Sequence, residues 1–158
     1  MYFSKGVVDR IENAICSGAC IVTDTKMAQS GINKRRIEAL GGKVYCFIGD
    51  DDVAAEANKR GLTRSYVSME KASRLECPVI FAIGNAPTAL LSICSLAKQG
   101  KLSPVAVIGA PVGFVNVIES KEMLMASGIP AIVATGRKGG SNIAAAIINA
   151  IQYKIGDR

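Results

Sequence analysis

The sequence predicts an α/β protein in which five parallel strands form a sheet covered by helices on both faces. Two observations carry this. Short apolar runs recur along the chain with helical segments between them. The runs also lack the in-out alternation of a strand with one wet face, so they read as strands buried on both sides. A third observation bounds the organisation. The 158 residues suffice for one core, and no linker, repeat or low-complexity segment divides them, so residues 1–158 are expected to form a single domain.

The elements follow in order. Ser4 can cap a helix over residues 5–17, with Val7, Val8, Ile11, Ala14 and Ile15 on one face, and Gly18 ends it. "ACIVTD" is a buried strand. "TKMAQSGINKRRIEALGG" reads as two short helical pieces broken near Gly31, with Asn33 a cap for the second and Gly41-Gly42 its stop. "KVYCFI" is the next strand. "DDVAAEANKRG" carries acids at its start and bases at its end, the order that suits a helix dipole. "TRSYVSMEKASRL" is a helix that Thr63 can cap. "PVIFAIG" is a strand, and "PTALLSICSLAKQG" a helix with Pro87 in its first turn. "PVAVIG", "SKEMLMASG", "AIVAT" and "SNIAAAIINAIQYKI" complete the alternation, and their crossovers should be right-handed.

Composition narrows the function. Lys and Arg outnumber Asp and Glu by 19 to 13, a net charge of +6. Such a balance suits a polyanionic small molecule as well as nucleic acid. No Lys/Arg run is interleaved with aromatics, so nucleic acid is not expected. The five cysteines form no CxxC pair and the chain has no histidine. Buried free thiols in a reducing cytoplasm are therefore expected, and no metal site. No secretory signal is visible, and no apolar segment approaches the ~20 residues of a membrane helix. A soluble cytoplasmic protein is the expectation.

Three strand-to-helix turns draw attention: "GNAPT" at residues 84–88, "GAPVGF" at 109–114 and "GRKGGS" at 136–141. Each follows the carboxyl end of a strand, where open parallel sheets bind ligands. Glycine lets the backbone approach a ligand closely. The helix that follows points unpaired N–H groups at the same crevice, an arrangement suited to anions. Each turn also has a plainer reading. "GNAPT" suffices as a tight turn with Pro at the helix start, and "GRKGGS" as a solvated basic loop in which Ser141 caps the last helix. Yet two glycines around a Pro exceed what a turn requires. Arg137 and Lys138 beside a helix N-terminus oppose its dipole unless an anion lies between them. Neither GxGxxG after a strand nor GxxxxGK[ST] occurs, so dinucleotide and Walker-type sites are not expected. Asp24, in "TDT", is thin support for a metal. Lys34, Arg35 and Arg36 lie in a row that is mostly solvated, with room for one or two of them to reach the crevice.

Taken with "IVTDTKM", "GINKRR", "TRSYVSMEKA", "PVGFV" and "ESKE", these turns resemble the precorrin-8X methylmutase family, the precorrin isomerases of cobalamin biosynthesis. The likeness runs from about Tyr2 to Ile151. It implies a flavodoxin-like, three-layer fold and a homodimer with the active site near the subunit interface. It implies a methyl shift from C-11 to C-12 of the macrocycle that yields hydrogenobyrinic acid, with a cobalt-containing substrate in the anaerobic branch. No cofactor is implied, because the macrocycle supplies its own conjugated electrons. The substrate, a corrinoid ring fringed with acetate and propionate carboxylates, would explain turns built for anions. By resemblance Arg64 contacts the substrate. Asn85, Thr88, the "PVGFV" backbone at Gly113, and Arg137, Lys138, Gly139 and Ser141 would line the same site, and Lys34 is taken with them from the basic row for its charge. The family's catalytic histidine lies in an N-terminal R-x-[IV]-H segment that this sequence lacks, so no residue here is carried over as catalyst. Two alternatives stay open: a tetrapyrrole-binding relative that has lost the chemistry, and a phosphate-binding α/β domain.

Overall fold

A computed structural model describes residues 1–156. In chain order it contains β1 (Tyr2–Phe3), α1 (Val7–Cys16), β2 (Cys20–Thr23), α2 (Lys26–Gly31), α3 (Lys34–Ala39), β3 (Val44–Cys46) and α4 (Asp51–Arg60). Then follow α5 (Arg64–Ala72), β4 (Val79–Ile83), α6 (Pro87–Lys98), β5 (Ala106–Gly109), α7 (Val117–Ala126), β6 (Ala131–Val133) and α8 (Ser141–Ile155). The six strands form one sheet in the order β1-β6-β5-β4-β2-β3. β2 to β6 are parallel to one another.

The expected five-stranded parallel sheet is corrected here to a six-stranded mixed one. β1 pairs antiparallel with β6, Tyr2 opposite Val133 and Phe3 opposite Ile132. Ser4 extends this edge: its N–H donates to the Ala131 carbonyl at 2.9 Å and its hydroxyl accepts from the Ala131 N–H at 2.8 Å. Ser4 is therefore not the helix cap expected of it. The chain instead turns through Gly6 at φ 70°, a left-handed conformation that glycine adopts without strain, and α1 begins at Val7.

Both faces of the sheet are covered, as the uniformly apolar strands require. Within β4, Phe81 and Ile83 face one layer, built from α4, α5, α6 and α7. Ile80 and Ala82 face the other, built from α1, α3 and α8. This period-two division is the ordinary geometry of a strand. Helix α8 contributes Ile148, Ile151 and Ile155, each at most 6% exposed. A fully buried Ile stabilises by about 1.5–3 kcal/mol, so this stripe alone anchors the last helix firmly.

Two of the four expected side-chain caps agree with the sequence. Asn33 Oδ1 accepts from the Arg36 N–H and Thr63 Oγ1 from the Tyr66 N–H. Pro87 occupies the first turn of α6. Ser141 departs from expectation: Gly140 holds the cap position of α8 and no side chain caps it.

The sheet order reverses between β2 and β4. From there the chain winds outward to β3 on one side and to β5 and β6 on the other. A reversal of this kind opens a crevice beyond the carboxyl ends of the strands.

Candidate functional site

The crevice is floored by the segments that leave β2, β4, β5 and β6. Its foundation is Asp24, which follows β2 and is only 2% exposed. Asp24 Oδ1 accepts from the Gly84 N–H at 2.9 Å. Its Oδ2 accepts from the N–H groups of Asn85 at 2.9 Å and Ala86 at 2.7 Å. One buried carboxylate thus takes up three donors that the turn into α6 would otherwise leave unpaired. Burial raises the Asp24 pKa, and the three peptide donors oppose that rise. The side chain that looked like thin support for a metal is an anchor of the first turn. Among the described residues, no group of three or more Cys, Asp and Glu side chains is arranged to hold a metal ion.

The three turns meet backbone to backbone. A Cβ built on Gly84 would lie 2.5 Å from the Ser141 Cα, and one on Gly139 would lie 2.2 Å from the Ala110 carbonyl oxygen. No larger residue fits either place without moving main chain. The Gly140 N–H donates to the Ala110 carbonyl at 2.9 Å, the Ala110 N–H to Ile83 at 2.8 Å, and the Val112 N–H to Asn85 at 3.3 Å. Hydroxyl pairs extend the platform. Thr25 and Ser141 share a hydrogen bond of 2.7 Å, and Thr63 donates to Thr88 at 3.1 Å. The latter brings the start of α5, and with it Arg64, to the start of α6.

Asn85, Thr88, Gly139 and Ser141 thus fall together on the crevice floor. Arg64, Arg137 and Lys138 are exposed on the segments around it. Gly113, at φ 124°, opens an exposed loop whose apolar tip is Phe114 and Val115, 88% and 76% exposed. Lys34 is not brought to this group. It begins α3 beside Asn33, whose N–H donates to Asn149 Oδ1 at 2.9 Å. Asn149 lies two turns beyond Ser141 on α8, ~12 Å away at the helical rise. Arg36, from the same basic row, donates to the Gly156 carbonyl still further along.

Sequence reasoning passed over two cations at the site. Lys26, first in α2, donates to the carbonyl of Cys46 at the end of β3 at 3.2 Å. Lys121 in α7 is 1% exposed. Its Nζ donates to the carbonyls of Gly136 at 2.7 Å and Lys138 at 2.8 Å. Burial pulls the Lys121 pKa below its usual value. Within "ESKE" a lysine reads as one charge of a solvated face, and no local signal distinguishes it.

A second concavity, a groove of about 1070 Å³, lies at the amino ends of β5 and β6, between α6 and α7. Tyr66, Leu91, Cys94, Met123 and Ile129 are among its lining residues, and none of the site residues expected from the sequence is. Its size would admit a ring, yet none of the three glycine-rich turns lines it.

Comparison with known proteins gives a consistent answer. A family model described as precorrin-8X methylmutase matches residues 1–154. The cobalt-precorrin-8 methylmutase of Priestia megaterium is 47% identical over 151 residues, covering 96% of this chain and 67% of the relative. The Salmonella typhimurium cobalt-precorrin-8 methylmutase is 42% identical over 156 residues, covering 98% and 72%. The Pseudomonas aeruginosa precorrin-8X methylmutase is 41% identical over 152 residues, covering 94% and 72%. A solved precorrin-8X methylmutase from Thermus thermophilus superposes with a TM-score of 0.87 at 36% identity, covering 99% of this chain and 76% of that one.

Proposed function

The chain belongs to the precorrin-8X methylmutase family, and on that premise we propose that its three-turn crevice binds the substrate ring and its carboxylate fringe. The chain is a methylmutase of cobalamin biosynthesis, an isomerase acting on precorrin-8X or its cobalt-containing counterpart. The reaction we propose moves the methyl group from C-11 to C-12 and yields hydrogenobyrinic acid or the cobalt equivalent. An intramolecular shift of this kind needs binding, orientation and a proton contact rather than a protein-borne electron carrier.

One observation carries the placement. Gly84, Ala110, Gly139 and Ser141 lock three strand-to-helix turns into one backbone platform at the carboxyl ends of the strands. Peptide donors and helix N-termini there suit carboxylates. Arg64, Arg137 and Lys138 add exposed positive charge around it, and Phe114 and Val115 offer apolar surface to the macrocycle. The strand order, counted without β1, is the doubly wound order of flavodoxin-like folds, which supports that fold and a single domain over residues 1–158. A homodimer with the site near the subunit interface is proposed from the family resemblance. A cytoplasmic location is supported by five free cysteines; among the described residues no helix is long and apolar enough to cross a membrane.

The test is a titration of the purified chain with hydrogenobyrinic acid, followed by visible absorption. A saturable spectral change supports the reading. Its absence, with binding of inorganic phosphate instead, would favour a phosphate-binding domain.

A further inference from the structure

We propose that Lys121 is a positioning residue that turns the 136–140 loop into an anion cradle by holding two of its carbonyls inward. The inference rests on the reading of the crevice as the corrinoid site and names the atoms that would meet one of its carboxylates.

In a trans peptide unit the C=O and the following N–H point in opposite directions. Lys121 Nζ takes the carbonyls of Gly136 and Lys138. The N–H groups of Arg137 and Gly139, the other halves of those two units, therefore point away from the ammonium. Neither N–H finds an acceptor among the described residues, whereas the neighbouring Gly140 N–H is bonded to Ala110. Two donors from alternate residues are thus presented in a stretch bounded by Gly136 at φ 76° and Gly140 at φ 137°. Peptide donors turned to one side of a glycine-rich bend can converge on an anion. The side chains of Arg137 and Lys138 stand at the same place.

The geometry also accounts for burying a lysine at all. A desolvated ammonium is costly unless its donors are satisfied, and carbonyls two residues apart satisfy two of them. If the loop needed only to connect β6 to α8, an apolar residue at 121 would fill the space without that cost. The interaction stiffens the loop before ligand arrives, which reduces the ordering cost of binding. Gly139 cannot tilt independently, since it is wedged against the Ala110 carbonyl.

The experiment follows backbone amide resonances of the full chain during titration with hydrogenobyrinic acid. With the wild-type chain, the Arg137 and Gly139 amides are expected to move with saturation, together with those of the 84–88 turn. Binding that leaves Arg137 and Gly139 unmoved overturns the inference and spares the functional reading. No binding at all overturns both. Lys121→Met is the second arm. It should weaken binding roughly tenfold or more and abolish the ligand-induced shifts of Arg137 and Gly139 while those of the 84–88 turn persist. A uniform loss at both places would mark Lys121 as a core residue only and overturn the inference. If Lys121→Met does not fold, the wild-type titration decides alone.

Discussion

Gly84 and Ser141 are in main-chain contact: a Cβ on Gly84 would sit 2.5 Å from the Ser141 Cα. The residues lie at opposite ends of the site in sequence, one after β4 and one opening α8, and the absence of a side chain lets the two segments close on each other. Gly84→Ala must push α8 away from the sheet. We expect a loss of roughly 1–3 kcal/mol in stability, the usual cost of overpacking, together with weaker corrinoid binding. Urea unfolding and the absorption titration would measure the two effects. Unchanged values in both would mean that the contact between the turns is incidental.

Asp24 anchors the first turn through three peptide donors. In Asp24→Asn one acceptor oxygen becomes a donor NH2 facing N–H groups. A buried donor left unpaired costs about 1–3 kcal/mol. Chemical denaturation should show at least that much destabilisation near neutral pH.

The same carboxyl has a pH signature. Burial raises its folded-state pKa above the unfolded value. The folded state therefore keeps the proton over a range in which the unfolded chain has released it. The stabilisation from this group is complete below the ordinary carboxyl pKa and is lost as pH rises through the folded one. Carbon-detected NMR titration should find Asp24 protonating at higher pH than the exposed Asp52, whose pairing with Lys71 pulls it the other way. Asp24 titrating below Asp52 would contradict this ordering.

Arg64 and Arg137 are exposed, so replacing either should barely alter stability. Arg64→Ala and Arg137→Ala should each weaken hydrogenobyrinic acid binding roughly tenfold if each makes a charge-assisted contact. The double variant should also flatten the salt dependence, because fewer charges are left to screen. Wild-type affinity in both single variants would make these residues surface decoration.

Turnover bears on the proton contact. The family resemblance implies a histidine as the proton contact, and the 158 residues contain none. General acid–base contacts contribute about 10²–10⁴-fold. Precorrin-8X turnover by these residues alone should therefore be slower by a factor in that range than by a histidine-bearing relative. An equal rate in a parallel assay would show that another group does the work.

Features encoded over a few neighbouring residues were legible in the sequence. The strand-helix alternation, the Asn33 and Thr63 caps and Pro87 at its helix start all follow from local chemistry. What escaped depends on distant partners. Tyr2 and Phe3 form a strand only because β6 offers an open edge, and Ser4 spends its hydroxyl on Ala131 rather than on a helix start. Lys121 looks solvated beside Glu119 and Glu122 until α7 is packed beneath the 136–140 loop. The turns were recognisable as unusual from their glycines, but their joining into one platform was not. Lys34 was grouped with them by its charge, and the fold sets it beside the middle of α8.

The central claim is that the ring lies at the carboxyl ends of the strands, on the platform of Gly84, Gly139 and Ser141. A crystal structure of the chain with hydrogenobyrinic acid tests it most directly. The account predicts ring carboxylates within hydrogen-bond distance of peptide N–H groups in the 84–88 and 136–141 turns, with Arg64 or Arg137 closing on the fringe. A ring seated instead in the groove between α6 and α7, against Tyr66, Leu91 and Met123, would contradict it.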